Sequence, residues 1–155
     1  MMTEQQPNTR IPASALMLGL AGLIPFAAGA LSQWLPLPLL TGETGLRLIV
    51  AYGAIILSFL GGVRWGTALG PFDVRRQGLE FAASVLGSLA GLAAVFLAVI
   101  PALALLIAGF LMQALWDVTS VEAGRLPQWF GKLRMMLTAG AVVSLVVALV
   151  AVLLT

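Results

Sequence analysis

The chain has 155 residues, of which 61% are hydrophobic and 9% are charged, and its formal net charge is +2. A water-soluble domain of this length could not bury so much apolar surface, so the composition excludes a soluble globular fold and predicts an integral membrane protein. The chain contains no Cys and no His, which excludes disulfides, thiol nucleophiles and the commonest ligands of metals and haem, so we expect neither a metal nor a cofactor.

Five apolar runs predict an all-α bundle of five transmembrane helices, which form one domain over 13–155. A polar N-terminal tail at 1–12 precedes them, and we expect it to be flexible. The predicted spans cover residues 13–35, 45–69, 81–99, 101–120 and 133–154. Each is long enough to cross a hydrocarbon core of about 30 Å at about 1.5 Å per helical residue.

Two prolines inside the apolar runs predict breaks in the helices. Pro25 lies within the first span and predicts a kinked helix. Residues 81–116 have no polar break, and one helix of that length would measure about 54 Å, far more than the hydrocarbon core. Pro101 favours the first turn of a new helix, so we predict a reversal at 99–101. A four-span arrangement with one kinked helix stays open as the alternative.

The basic residues predict the orientation of the chain. With five spans, seven of the eight basic residues lie on or near the side of the membrane that holds the N-terminus: Arg10, Arg64, Arg75, Arg76, Arg125, Lys132 and Arg134. Arg47 is the single basic residue of the other side. Because basic residues favour the cytoplasmic side, we expect a cytoplasmic N-terminus. Basic residues scattered at helix ends do not make a nucleic-acid-binding face, so the lipid bilayer is the expected environment and no nucleic acid is expected as a partner.

A row of small residues recurs every four positions along the second span. Its members are Ala54, Ser58, Gly62, Gly66 and Gly70. Small residues let the backbones of two transmembrane helices approach closely, so we predict that Ser58, Gly62, Gly66 and Gly70 pack against another helix. The partner helix lies either within the same bundle or in a second copy of the chain, and the sequence leaves both open.

A polar cluster is predicted near the cytoplasmic end of the second and fourth spans. Arg64 and Asp117 lie at similar depth, so we predict that they interact directly or through water. Gln113 precedes Asp117 by four residues and shares its helix face. Trp65 and Trp116 flank the two charges. The cluster is interpreted either as a structural clamp between helices or as a binding site for an anion or a lipid head group.

Two further segments carry weaker signals. Residues 121–134 combine aromatic and basic side chains, and we predict that they lie in the membrane interface before the fifth span. Glu80 is interpreted as an acidic residue in the first turn of the third span, where it would stabilise the helix dipole. The serine and threonine hydroxyls have no histidine or other paired base, so we do not expect an enzyme.

Several motifs resemble those of one uncharacterised bacterial membrane family. They are the segments 18–19, 22–26 and 52–66, Asp117, the string Pro127-Gln128-Trp129-Phe130, and the pairs Leu133-Arg134 and Leu137-Thr138. The family is domain of unknown function three-four-two-nine (DUF3429), whose relatives include the mitochondrial transmembrane protein sixty-nine. Gly87 departs from the expected pattern, since relatives are expected to carry a proline there.

The resemblance implies a five-span inner-membrane protein of bacterial or mitochondrial type and implies no activity. It directs attention to the segment 64–66 and to Asp117. We expect an accessory or scaffold protein that packs with itself or within a larger membrane complex. The alternative is a small transporter or a lipid- or anion-binding protein that uses Arg64 and Asp117.

Overall fold

The computed structural model describes residues 10–70 and 74–154. The N-terminal tail that we expect to be flexible therefore lies outside the described residues, apart from the segment 10–12. The described residues form six helices: α1 (Ala13–Ala21), α2 (Ile24–Leu31), α3 (Gly42–Ala68), α4 (Val74–Phe96), α5 (Val99–Glu122) and α6 (Gln128–Leu154). The pair α1 and α2 forms one apolar span, and α3 to α6 each provide another. The predicted all-α fold with five transmembrane helices is confirmed.

The first span is broken at Gly22 and Leu23. The N–H of Leu23 donates to the carbonyl of Leu20, which tightens the end of α1, and α2 starts again at Ile24. Pro25 is the second residue of α2, where its missing N–H costs no helical hydrogen bond. The interruption that the proline predicts is therefore present, and it divides the span into two short helices.

The first span ends as a helix at Leu31, four residues before the predicted boundary. Pro36 disfavours helical backbone at the residue before it, Leu35, so the helix ends before the predicted boundary. Gln33 then ties the loop to the next helix, because its side-chain amide donates to the carbonyl of Gly42 at 2.7 Å. Trp34 donates its indole N–H to the carbonyl of Val147 at 3.3 Å, which joins this end of the span to α6.

The reversal between the third and fourth spans occurs at Leu97 and Ala98. Ala98 has extended backbone and precedes the first residue of α5. Pro101 is the third residue of α5, in the first turn, where the proline needs no helical partner. The turn is therefore two residues earlier than predicted, and the four-span alternative is wrong, because α4 and α5 are separate helices that pack against each other.

The connection between α5 and α6 is much shorter than the predicted interfacial segment. It comprises only residues 123–127, because α5 continues to Glu122 and α6 begins at Gln128. Gly124 has a φ of 71°, and its N–H donates to the carbonyl of Val121 while the N–H of Arg125 donates to the carbonyl of Ser120. This pair of bonds is a Schellman motif, which stops α5 and reverses the chain. Most of the predicted interfacial segment therefore belongs to transmembrane helices.

Close packing of α3 on α4 depends on small residues in both helices. A Cβ added at Gly87 would lie 2.8 Å from the carbonyl oxygen of Leu57, and one added at Gly91 would lie 2.7 Å from that of Ala54. The hydroxyls of Ser58 and Ser88 share a hydrogen bond of 2.8 Å across the same contact. The two backbones are too close for side chains larger than these.

Only part of the predicted row of small residues lies at the contact between α3 and α4. A Cβ added at Gly62 or Gly66 would have no described atom within 4 Å. Four residues rotate a helix by about 400°, so a four-residue repeat turns by about 40° at each step and by about 120° between Ala54 and Gly66. Gly62 and Gly66 therefore contact no other described helix, whereas Ser58 lies on the contact between α3 and α4.

The apolar core lies between α2, α3, α5 and α6. The largest fully buried apolar side chains are Phe26, Phe110, Ile49, Leu57, Leu103, Leu106 and Leu145. Phe26 is central, because its ring packs edge to face against Tyr52 at 5.2 Å and Phe110 at 5.7 Å between ring centres. Helix α1 contributes no buried residue, so it lies at the edge of the bundle.

We predict that Gly87→Leu lowers the free energy of unfolding by at least about 1–3 kcal/mol, because the added side chain meets the backbone of α3. Gly78→Leu is the matched control, since it makes the same substitution in the same helix at a position with no close neighbour. Thermal unfolding of both variants in detergent micelles measures the difference. Equal melting temperatures for the two variants would contradict the close packing of α3 on α4.

Candidate functional site

Two ion pairs, one partly buried and one fully buried, join four helices at one end of the bundle, which we call the basic end. In the first, Nε of Arg64 on α3 lies 2.9 Å from Oε2 of Glu80 on α4. In the second, Nε of Arg134 on α6 lies 2.6 Å from Oδ2 of Asp117 on α5. The side chains of the second pair are only 6% and 1% exposed. Each helix from α3 to α6 therefore contributes one charged group.

We predicted that Arg64 and Asp117 interact directly or through water, and the structure shows no direct ion pair between them. Each group pairs with a different residue, although Arg64 is near enough to interact electrostatically with the Asp117 carboxylate. The difference comes from helix boundaries. Because α4 begins at Val74, Glu80 lies in its second turn and faces Arg64 instead of stabilising the dipole of a first turn. Arg134 lies inside α6 for the same reason.

Trp116 lies between two arginines of the basic end. The guanidinium carbon of Arg64 is 4.4 Å from the centre of its ring, and that of Arg125 is 6.0 Å away. Both distances are within reach of a cation–π attraction. Arg125 also donates from Nη2 to Oγ of Ser120 at 2.9 Å, so the turn after α5 holds it in place.

The other predicted members of the cluster divide into two groups. Gln113 is buried and donates from its side-chain amide to the carbonyl of Leu60 at 3.2 Å, which adds a link between α5 and α3. Trp65 is 47% exposed and packs against Phe81, with ring centres 4.6 Å apart and the rings tilted by 48°. Trp65 therefore packs on the α4 side of α3, away from the ion pair of Asp117.

The two ion pairs are electrically balanced, with two positive and two negative groups. A buried charge in a membrane is costly unless it has a partner, and removal of one partner leaves the other uncompensated. The geometry therefore makes this cluster a clamp that fixes how α3 to α6 face one another. It has no surplus charge of its own for a ligand to neutralise.

The residues predicted to pack helices together are also located by the structure. Ser58 contacts α4 through Ser88. Gly62 and Gly66 lie on the exposed face of α3, and Gly70 follows the end of the helix in a turn, where its N–H donates to the carbonyl of Thr67. Gly62 and Gly66 therefore lie on a face of α3 that no other described helix covers.

A cleft of about 400 Å³ lies between the first span, α3 and α6. Its residues are almost all apolar: Ala15, Leu18, Gly19, Gly22, Leu23, Phe26, Tyr52, Ile56, Phe59, Leu60, Val63, Phe110, Trp129, Phe130, Leu133, Arg134, Leu137, Thr138 and Ala141. Leu18 and Phe59 are 75% and 66% exposed, so the cleft opens on the lipid-facing surface. Its volume is in the range of small-molecule sites, about 300–1,000 Å³.

Sequence reasoning missed this cleft as a site. Its walls come from helices that are distant in the chain, and most of its residues are the apolar ones expected in any transmembrane helix. The one available signal was the pair Arg134 and Thr138, which place two polar side chains four residues apart on one face of a membrane helix. The described residues contain no group of three acidic, His or Cys side chains that could hold a metal ion.

We predict that Asp117→Asn lowers the free energy of unfolding by about 3–5 kcal/mol, because Arg134 is left buried without its counter-charge. Glu43→Gln is the matched control. It breaks the ion pair with Arg47, whose side chains are more than three-quarters exposed, and should cost less than about 1 kcal/mol. Thermal or denaturant unfolding in micelles measures both, and similar losses in the two variants would contradict the clamp.

Comparisons with known proteins identify the family. The family described as a protein of unknown function (DUF3429) matches residues 11–150. The chain is also similar to Transmembrane protein 69 of Xenopus tropicalis, with 40% identity over 149 residues that cover 90% of this chain and 54% of that protein. The chain therefore spans about half the length of this relative. No solved structure matches the chain. The resemblance seen in the sequence is confirmed, and the chain belongs to the DUF3429 family of membrane proteins.

Proposed function

We propose that this protein is a non-enzymatic membrane protein that binds a lipophilic molecule in the cleft between its first span, α3 and α6. The observation that carries the proposal is the cleft itself, which has about 400 Å³ of volume and an almost entirely apolar wall. This is the lipid-binding alternative drawn from the sequence, moved from the Arg64 cluster to a different part of the bundle.

The position of the cleft supports entry from the bilayer. Leu18 and Phe59 are largely exposed at its surface, and a molecule dissolved in the membrane reaches them without crossing water. Helix α1 forms one wall and contributes no buried residue to the core. A ligand between α1 and α6 would therefore gain apolar contacts that the bundle does not make by itself.

The distribution of charge favours binding over ion transport. The charged groups of the spans lie near the two ends, with Glu43 and Arg47 at one end and the two ion pairs of the basic end at the other. No charged residue occurs between these levels in α3, α5 or α6. An ion-transport path needs ionisable groups near the middle of the membrane, where these helices carry no charged side chain.

A second candidate function is that of an accessory or scaffold protein, and the exposed pair Gly62 and Gly66 favours it. A Cβ at either position would have no described neighbour within 4 Å, although small residues on a membrane helix favour close approach of another helix. In this proposal the outer face of α3 packs against a second copy or a larger complex.

We also propose a bacterial inner-membrane location with the basic end in the cytoplasm, which the excess of basic residues on that side supports.

We predict that a photoreactive analogue of a membrane lipid, with its reactive group on the acyl chain, labels the segments of α1, α3 and α6 that line the cleft. Ala15→Trp, which fills the cleft, should reduce labelling at α6 at least several-fold. Ala27→Trp is the matched control, since Ala27 is exposed on the same span and does not line the cleft. Mass spectrometry of the labelled peptides measures the effect, and equal labelling of α6 in both variants would reject the binding function.

For the second candidate, we predict that Gly62→Leu and Gly66→Leu shift an oligomer or complex toward the monomer, because the added side chains prevent backbone contact. Gly78→Leu is the control, since Gly78 is exposed on α4 and also has no close neighbour. Native mass spectrometry of lipid-extracted protein measures the assembly. A monomer in the wild type, or an assembly unchanged by both α3 variants, would reject the scaffold function.

A further inference from the structure

Two buried polar groups on the wall of the cleft lack hydrogen-bond partners among the described residues. Oγ1 of Thr138 makes no hydrogen bond although the residue is only 4% exposed, and Nη2 of Arg134 also has none at 6% exposure. Both residues line the cleft. A buried polar group without a partner destabilises the folded state, so native proteins rarely leave one unpaired without a reason.

Both polar atoms are fully buried beside the cleft, so a ligand end reaches them after a small reorientation of each side chain. Thr138 follows Arg134 by four residues on α6, so the two side chains share a helix face and differ in depth by about 6 Å. A threonine in a helix has two accessible side-chain rotamers, and a change between them reorients the hydroxyl. Both groups can donate a hydrogen bond, and the guanidinium can only donate.

The balanced charges of Arg134 and Asp117 favour a ligand whose polar end is an uncharged hydrogen-bond acceptor. Arg134 already pairs with Asp117 at 2.6 Å, so the local charge is balanced. An anionic ligand end would approach the Asp117 carboxylate as well as the arginine, and a cationic end would meet the arginine. A carbonyl oxygen accepts hydrogen bonds without adding charge, and it matches both donors.

The apolar part of the wall is rich in aromatic rings. Six of the lining residues are aromatic: Phe26, Tyr52, Phe59, Phe110, Trp129 and Phe130. Aromatic side chains pack well against planar rings as well as against hydrocarbon chains. The cleft therefore suits an apolar body that carries or adjoins a flat carbonyl group.

We propose that the ligand of the cleft is a neutral lipophilic molecule with a carbonyl oxygen at its polar end, which accepts hydrogen bonds from Thr138 and Arg134. This inference rests on the proposed binding function and adds the chemistry of the ligand. A quinone with an alkyl tail and a neutral ester lipid share this chemistry, and they are the two sources that an experiment must distinguish.

The test measures how three probes change the melting temperature of the intact protein in micelles, since a ligand that binds the folded state raises it. The probes are an alkyl benzoquinone, a fatty-acid methyl ester and an alkylbenzene that has no carbonyl, all with tails of equal length. The variants are Thr138→Val, which removes the hydroxyl at nearly constant shape, and Thr138→Ser, which restores it. Thr119→Val is the control, since Thr119 is exposed on α5 outside the cleft.

We expect Thr138→Val to weaken binding of a carbonyl probe about 5- to 10-fold, which corresponds to the loss of one hydrogen bond. Thr138→Ser should restore most of the affinity, and the alkylbenzene should bind the wild type and Thr138→Val equally. The carbonyl probe that shows the larger dependence on Thr138 identifies the source as quinone or ester.

Two results would overturn the inference. The first rejects the inference alone, and the second also rejects the proposed binding function. If the alkylbenzene raises the melting temperature but neither carbonyl probe depends on Thr138, the carbonyl specificity is wrong and the binding function stands. If none of the three probes raises the melting temperature of the wild type, the binding function and the inference fall together. A lower melting temperature of ligand-free Thr138→Val does not affect either comparison, because each shift is measured against the same variant without probe.

Discussion

The requirement that buried charges be paired determines how the bundle is arranged. In a bilayer there is no water to solvate Asp117 or Arg134, which are 1% and 6% exposed, so each needs the other. The pair joins α5 to α6, and the pair Arg64–Glu80 joins α3 to α4. Trp116 on α5 then stacks on Arg64 of α3, and this contact connects the two pairs. The rotation of four helices about their axes is thereby fixed at the basic end.

The first span is not part of this network of charged groups, and the cleft lies where this span meets α3 and α6. None of the described residues of α1 and α2 is charged, so packing alone holds the span. Phe26 anchors α2 in the core, where it contacts Tyr52 and Phe110. The helix is interrupted at Gly22 and Leu23, and α1 buries no residue of its own. The space between α1, α3 and α6 is the cleft, with Arg134 of the clamp in its wall.

This arrangement connects the clamp to the proposed binding site. Arg134 uses Nε for Asp117, and its Nη2 has no described partner. One side chain therefore stabilises the bundle and also presents a donor near the cleft. A neutral acceptor would use the spare donor without competing for the ion pair, which is the physical reason for expecting a carbonyl group.

The sequence predicted the class and the number of spans well, because apolar runs of membrane length have one main explanation. Pro25 and Pro101 also marked the break and the reversal to within a few residues. The pairing of charges was not predictable, since it depends on where each helix begins. Starting α4 at Val74 and α6 at Gln128 placed Glu80 and Arg134 inside the bundle. Arg64 and Asp117 do come near enough to interact electrostatically, but helix rotation gave each a different partner.

The row of small residues shows a second limit of prediction from the sequence. A four-residue spacing looks like one helix face in the sequence, yet over three steps it turns by about a third of a revolution. Ala54 and Ser58 therefore face α4, whereas Gly62 and Gly66 face outward. The cleft was beyond sequence reasoning because its walls meet only in three dimensions, and its apolar residues are common to all transmembrane helices.

The most direct test of the central claim is a set of double-mutant cycles on the buried charges, measured as free energies of unfolding in micelles. For the pairs Asp117–Arg134 and Arg64–Glu80, we expect coupling energies of about 0.5–3 kcal/mol, because each pair is in direct contact. For Arg64–Asp117, which are not paired directly, we expect a clearly smaller coupling. A coupling near zero for Asp117–Arg134, or the largest coupling for Arg64–Asp117, would contradict the arrangement of charges on which the fold and the cleft depend.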